Sequence, residues 1–352
     1  MTRILSAKKW RDFLTRGSRF FIAFGGIYRV SELLTAEIQN QLDAKVPGCP
    51  NGRAYERMGA RHSSSSTPAV LIAGIGRLGN SIVQVLNSLA IAGQLKSNRV
   101  YFHLFDAIGN ASLNLTPTLR LEPLSMVRTT RSHPPKIIWR TYAMTSFGVL
   151  QDPFDNVFDL AREELRRGLN VPQKPSGAAR DDGVLTVYLR SGDIFAGPSE
   201  PDYGQPPWAF YEKVLEFKPW TRVEIVAEDR GNPTYGPIFE WCRDRGIPVD
   251  VLGAKLEDAV EAVVRSTHLI SARGTFVPSL LYLTDDDKEV FQFHDDKNRL
   301  MGGRNLTLWR VTDNDGDYVA SVMSNNWANS EAQRALMLEY PADSLSEIVR
   351  MV

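Results

Sequence analysis

Few folds accommodate the rhythm of residues 184–283. Val184, Leu185, Val187 and Leu189 make a mostly apolar, partly β-branched run that reads as a short buried strand. A helical pattern through Phe210, Tyr211, Val214 and Leu215 follows, then a strand from Arg222 to Ala227 and a helix around Ile238 to Cys242. The alternation continues with a strand at Val249 to Leu252, a helix at Glu257 to Arg265, a strand at His268 to Ser271 and an apolar helix at Val277 to Leu283. Strands separated by helices cannot pair as hairpins, so the sequence predicts an α/β unit with a parallel sheet.

In an open parallel sheet, ligands collect beyond the carboxyl ends of the strands, where loops meet helix starts. The first strand breaks there into Arg190-Ser191-Gly192-Asp193. Such a loop suits a diphosphate: a guanidinium fork, backbone amides that a ligand can approach closely, and an aspartate to brace the turn. Two later loops at strand ends carry Asp229 and Gly274-Thr275-Phe276, and the three could converge on one nucleotide. Lys plus Arg and Asp plus Glu both number 41, giving a formal charge of zero. Nothing therefore predicts a general affinity for nucleic acid or acidic membrane, and any anion must be held locally.

At 352 residues the chain is long enough for two domains. Residues 1–68 read as an N-terminal extension with helical patterns through Trp10, Phe13 and Leu14 and through Val30 to Leu42, ending in the polar joint Ser63 to Pro68. A first Rossmann-like domain is expected over 69–171, on the acceptor side. The linker Pro172 to Asp182 leads to a second over 183–330, on the nucleotide side, and 331–352 is read as a C-terminal helix.

The first domain opens with a strand, Val70 to Ala73, then Gly74-Ile75-Gly76-Arg77-Leu78-Gly79-Asn80, then a helix through Ile82, Val83 and Leu86. This arrangement also fits a nicotinamide dinucleotide site, which leaves an NAD(P)-dependent oxidoreductase open. That reading asks for an acid about 20 residues past the glycines. The first acid at the second strand's end, Asp106, stands further on.

Cys49 and Cys242 have no metal-type spacing and read as buried or idle thiols. Sequons at Asn110, Asn114 and Asn305 carry meaning only in a secretory setting, and the early apolar run Phe20 to Ile27 is too short to span a bilayer. A cytoplasmic chain is expected. Asp285-Asp286-Asp287 running into Lys288 reads as a solvated turn, and Asp313 to Asp317 as an Asp-Gly hairpin between strands 306–311 and 318–322. His103 and His268, in or beside apolar strands, read as core histidines.

Three segments together resemble the fucosyltransferase superfamily that includes the α1,2-, α1,6- and protein O-fucosyltransferases. Gly76-Arg77-Leu78-Gly79-Asn80 is similar to its first-domain motif, whose arginine and asparagine reach the donor. Leu189 to Asp193 resembles the second-domain motif whose arginine grips the β-phosphate, with Tyr188 where the family usually has histidine. Ser271 to Phe276 resembles the late diphosphate-contacting motif, with Ala272-Arg273-Gly274 replacing the usual small polar residues.

The resemblance covers most of Val70 to Leu283 and implies a GT-B fold, two Rossmann-type domains facing each other across a cleft. It also implies inverting, metal-independent transfer of a sugar, fucose first, from a GDP-sugar to a glycan or other hydroxyl acceptor, with no cofactor and no metal site. Donor contacts fall on Gly76, Arg77, Gly79, Asn80, Ser191, Gly192, Asp229, Gly274, Thr275 and Phe276, and an acid near Asp258 would read guanine. Arg190 would neutralise the leaving diphosphate and Asp193 brace the loop, while Glu200 and Asp202 are candidate bases. Tyr203 and Trp208 could stack on acceptor sugar. A non-catalytic nucleotide or glycan binder on the same fold remains a third reading.

Overall fold

The computed structural model describes residues 55–57, 68–72, 78–85, 98–102, 113–114, 120–123, 136–141, 155–169, 171, 182–197, 201–253, 255–284, 287–294 and 306–351. They build a mixed α/β structure on two sheets, both mostly parallel.

The first half contributes β1 (Tyr55–Arg57), β2 (Pro68–Ile72), α1 (residues 78–85), β3 (Arg99–Phe102), β4 (Leu113–Asn114), β5 (Arg120–Pro123), β6 (Lys136–Thr141) and α2 (Asp155–Gly168). Its sheet runs β1-β6-β2-β3-β5-β4. The inner strands β6, β2, β3 and β5 are parallel, and β1 and β4 close the edges antiparallel. Ile82, Val83 and Val85 of α1 are fully buried, as the apolar spacing of that helix requires.

The second half contributes β7 (Val184–Leu189), α3 (Trp208–Glu216), β8 (Arg222–Ala227), α4 (Tyr235–Asp244), β9 (Val249–Leu252), α5 (Leu256–Arg265), β10 (His268–Ser271) and α6 (Phe276–Leu283). It ends with β11 (Lys288–Phe293), β12 (Leu306–Val311), α7 (Glu331–Glu339) and β13 (Val349–Arg350). The sheet runs β13-β12-β11-β10-β7-β8-β9, parallel throughout except for β13 against β12. Outward from β7 the chain winds first through β8 and β9, then returns to β10 on the other side. A crevice opens at that switch between β7 and β10.

Register decides what meets in the crevice. β7 pairs with β8 residue for residue, Val184 opposite Arg222 and Leu189 opposite Ala227. The loops that begin at Arg190 and Glu228 therefore leave the sheet side by side. β7 is buried along nearly its whole length, with only Tyr188 half-buried at its carboxyl end. That is the burial of a central strand covered on both faces.

Several expectations change. The segment after Asp313 is no hairpin strand: Val319–Met323 is one turn of π-helix. The buried positions are Tyr318, Val322 and Met323, a helical rather than a two-residue spacing. Asp313 is the cause, because its Oδ2 accepts from the Val319 amide (3.0 Å) and its Oδ1 from the Tyr340 hydroxyl (2.6 Å). Lys288 is not part of a solvated turn but the first, buried residue of β11. Its ammonium donates to the carbonyls of Val264 (2.5 Å) and Ser266 (2.6 Å) at the end of α5. Tyr55–Arg57, inside the expected helical extension, instead adds an edge strand to β6. The rest of 1–54 lies outside the described residues, as do Cys49, His103, the Asn110 and Asn305 sequons and most of the expected linker. His268 is a fully buried residue at the start of β10; of the C-terminal helix expected over 331–352, α7 forms only Glu331–Glu339, and the chain then turns through a 3-10 segment, Ala342–Ser344, into β13, which pairs with β12.

Candidate active site

At the end of β7 the backbone turns through Ser191 into a short 3-10 turn, Gly192–Ile194, with Gly192 at φ +69°. An L side chain is strained at that angle, so the glycine makes the turn possible. The Arg190 side chain is only 11% exposed. Its Nη2 donates to Asp193 Oδ1 at 2.6 Å, its Nη1 lies 3.7 Å from Glu228 Oε2, and its guanidinium carbon stands 5.6 Å from the centre of the Tyr203 ring. The arginine is thus aimed by a carboxylate on its own loop, by one on the loop after β8, and by an aromatic face.

Asp229 knits these two loops together. Its Oδ1 accepts from the Ser191 hydroxyl, the Gly192 amide (3.3 Å) and the Gly231 amide (2.8 Å). Asn232 adds a second tie, donating to the Arg190 carbonyl at 2.9 Å while its Oδ1 accepts from the Thr234 amide and hydroxyl at the start of α4. The carboxylate of Asp229 is spent on loop geometry, and Asp229 does not line the cavity described below.

The third loop follows β10. Gly274, at φ +143°, lets the chain swing from Arg273 into Thr275 and α6. From across the crevice the start of α1 meets it: the Thr275 hydroxyl donates to Asn80 Oδ1 (2.6 Å) and the Ser279 hydroxyl to the Gly79 carbonyl (3.1 Å). The approach is close enough that a Cβ on Gly79 would lie 2.6 Å from the Phe276 nitrogen and 2.7 Å from the Thr275 carbonyl carbon. Gly79 serves helix-to-loop packing between the two sheets. In a dinucleotide fingerprint this third glycine has that same packing role, and the second, Gly76, which would meet the pyrophosphate, lies outside the described residues.

These loops border a cavity of about 660 Å³. Its polar lining comes from Arg190, Ser191, Asp193, Glu228, Thr275, Asn80 and Ser81. Its apolar lining comes from Val226, Ala227, Gly253, Leu256 and Ala259 and from Tyr188 and Phe276, which pack against the cluster of Val226 and Ala259. Tyr188 and Phe276 stack with ring centres 5.1 Å apart and planes 25° apart. A concave site with both apolar and convergent polar lining is the kind that holds a small molecule.

The sequence-predicted residues therefore divide. Gly79, Asn80, Arg190, Ser191, Asp193, Tyr203, Gly274, Thr275 and Phe276 line the cavity, with Gly192 beneath it. Asp258 is exposed on α5 and does not line it, although its neighbours Leu256 and Ala259 do. Asp202 stands 3.6 Å from Arg273, which itself donates to the Met323 carbonyl at 2.7 Å. Trp208 begins α3, half-buried against the core. Gly76, Arg77 and Glu200 lie outside the described residues. Tyr188, which stands where the resembled family usually has histidine, lines the cavity, as do Glu228 and Gly253, which no motif marks; the signal for Glu228 is position, as the first residue after a strand that ends beside the arginine loop. Among the described residues, no group of three or more His, Cys, Asp or Glu side chains could hold a metal ion, and no helix is long and apolar enough to cross a membrane.

No family model matches the chain. No curated protein matches it either. Among solved structures it is similar to TibC, a dodecameric iron-containing heptosyltransferase in complex with ADP-D-beta-D-heptose, with a TM-score of 0.34 and 10% identity over 68% of this chain. The match spans 63% of the TibC chain.

Proposed function

We propose that this chain is a glycosyltransferase of GT-B type that takes a sugar from a nucleoside-diphosphate donor and passes it to a hydroxyl acceptor with inversion. The observation that carries the reading is the convergence of three strand-end loops and the start of α1 on one cavity, polar at Arg190 and Thr275 and apolar at Tyr188 and Phe276. Two of those loops, after β7 and β10, and the start of α1 carry residues of the segments that resemble the fucosyltransferase motifs, which is why GDP-fucose is the donor we assign. The domain division that goes with it is an acceptor-side unit on the first sheet and a nucleotide unit on the second.

In this mechanism the acceptor hydroxyl oxygen attacks the anomeric carbon from the face opposite the diphosphate and gives its proton to a base, for which Glu200 and Asp202 are the candidates. The bond to the leaving oxygen breaks, and negative charge grows on the β-phosphate. Arg190 supplies the facing positive charge, with backbone amides of the Ser191–Gly192 turn as further donors. Removing one such preorganised donor typically costs about 3–4 kcal/mol of transition-state stabilisation. Asp193 holds the guanidinium in place through its 2.6 Å contact. Arg190 thereby takes the role that a divalent cation has in other transferases, so transfer proceeds in chelator.

Calorimetric titration of the full chain in chelator, with GDP, ADP, UDP and NADH, tests this directly. Selective binding of a nucleoside diphosphate, followed by release of that diphosphate from the matching nucleotide sugar, supports the transferase. Binding of NADH alone would return the chain to the oxidoreductase reading. Diphosphate binding without any turnover of donor would make it a binder. Because Asp258 stands outside the cavity, which base is preferred is itself a result of this titration. Arg190→Ala should abolish turnover and weaken diphosphate binding while leaving the fold intact.

A further inference from the structure

Tyr203 faces the guanidinium of Arg190 with 5.6 Å between the charge and the ring centre, and both residues line the cavity. A ring face turned to a cation shields that charge from water and holds its plane, so the arginine is oriented before an anion arrives. Yet the turn that carries Tyr203 cannot place itself. Pro201–Tyr203 is a single 3-10 turn with no buried residue of its own.

Its anchors come from elsewhere in the chain. The Trp327 amide donates to the Pro201 carbonyl at 3.1 Å, and the Tyr318 hydroxyl to the Gln205 carbonyl at 2.6 Å. Gly204 lies so close to the same segment that a Cβ there would overlap the Val322 carbonyl and stand 3.0 Å from Met323 Cα. The π-turn Val319–Met323 and its flanks therefore form the bed on which the Tyr203 turn rests. Arg273 holds both. Its Nη1 donates to the Met323 carbonyl at 2.7 Å, and its Nη2 stands 3.6 Å from Asp202, whose carboxylate also accepts from the Asn325 amide. Arg273 immediately precedes Gly274, Thr275 and Phe276, the cavity wall supplied by the loop after β10. None of Arg273, Asp202, Met323 and Asn325 lines the cavity. One guanidinium fork thus ties two walls of the cavity from behind, a geometry that the point charge of a lysine does not reproduce. The arm to Asp202 is exposed and contributes little by itself; the part-buried, charge-assisted arm to the carbonyl carries most of the tie.

Resting on the proposed donor class, we infer that Arg273 is a positioning residue: acting through Tyr203, it keeps Arg190 oriented to receive a nucleoside diphosphate. The test is a double-mutant cycle on Arg273→Ala and Tyr203→Ala in the full chain, read as the Kd of GDP, ADP and UDP by calorimetry. Each single variant should weaken diphosphate binding roughly 3- to 10-fold. In the double variant the two losses should overlap, leaving affinity within about twofold of Tyr203→Ala alone. Overlap is the readout because a merely structural role lowers the melting temperature and leaves the two losses independent. Arg273→Lys, which keeps the charge but not the fork, should fall between wild type and Arg273→Ala, and it takes the place of Arg273→Ala in the cycle if that variant melts too low to titrate. Binding rather than turnover is measured, so the outcome does not depend on which carboxylate takes the acceptor's proton. An unchanged Kd in either single variant, or losses that multiply in full, overturns the assignment while leaving the donor class standing. Failure of wild type to bind any of the three nucleotides removes the donor class, and the inference with it.

Discussion

At the scale of single residues the site depends on a glycine. Gly192 adopts φ +69°, and the Glu228 carboxylate occupies the space a Cβ would take. Gly192→Ala should cost about 1–2 kcal/mol in backbone strain alone, seen as a lower melting temperature, and should push Glu228 off the loop. Nucleoside-diphosphate affinity, measured by calorimetry, should then fall further than the loss of stability explains. A second prediction belongs to Cys242, fully buried in the core of the second sheet, where burial pushes its thiol up from an ordinary value of 9.0 to about 11. A group that holds its proton more tightly when folded stabilises the protein fully below its unfolded value, and loses that contribution as pH climbs from about 9 to about 11. The amount at stake is on the order of 2 kcal/mol. Stability measured by denaturant melts across this range should fall, and Cys242→Ala should fall less steeply. In a Cys49→Ser background, Cys242 should react with a thiol reagent at pH 8 only as fast as the protein opens, because it is both buried and protonated.

At the scale of elements, β8 and α5 are fastened by a buried carboxylate. Glu224, in the middle of β8 and 3% exposed, accepts from Arg265 Nη2 at 2.8 Å and from the Thr186 hydroxyl at 3.3 Å, so α5, β8 and β7 meet on one group. Breaking such a pair leaves Glu224 with only the longer 3.6 Å contact to Arg222 as a charged partner, though Arg265 is 40% exposed and water offsets part of the loss. Arg265→Ala should therefore cost about 1–3 kcal/mol, below the figure for a fully buried pair, and thermal melts would read it. Elements of this kind explain what the sequence makes legible. The strands and helices from Val184 to Leu283 declare themselves because each has its own apolar period and ends at a loop residue. Lys288 and Asp313 mislead because their partners are distant: one caps α5 from a different strand, the other joins a π-turn to Tyr340. Local patterns record burial by neighbours in sequence, not hydrogen bonds closed over the fold. The cavity divides in the same way. Arg190 and Thr275 are visible as punctuation after strands, whereas Glu228 acquires meaning only when pairing sets β8 level with β7.

At the scale of the whole molecule the cavity belongs to both halves, but unequally. Arg190, Glu228, Gly274, Thr275 and Phe276 come from the second sheet's loops, while Leu78, Gly79, Asn80 and Ser81 come from α1. The halves meet at Gly79, where backbone of α1 presses on backbone of Thr275 and Phe276, and again where α2 packs on α6. Backbone cannot rotate away as a side chain can, so Gly79→Ala must drive α1 off α6 and break the Thr275–Asn80 and Ser279–Gly79 hydrogen bonds. Most of the proposed nucleotide contacts would survive, because they lie on the second sheet; the coupling between halves would be left to α2 on α6. In wild type, a saturating nucleoside diphosphate at a hundredfold excess over its Kd should stabilise the folded chain by about 2.7 kcal/mol, and scanning calorimetry should show one transition moving upward as a unit. In Gly79→Ala the same ligand should raise only the part of the trace that belongs to the second sheet, leaving a separate, unshifted transition for the first. A single transition that shifts fully in the variant would mean that the α1 contact does not join the two halves, and that the second sheet's loops build the nucleotide site without it.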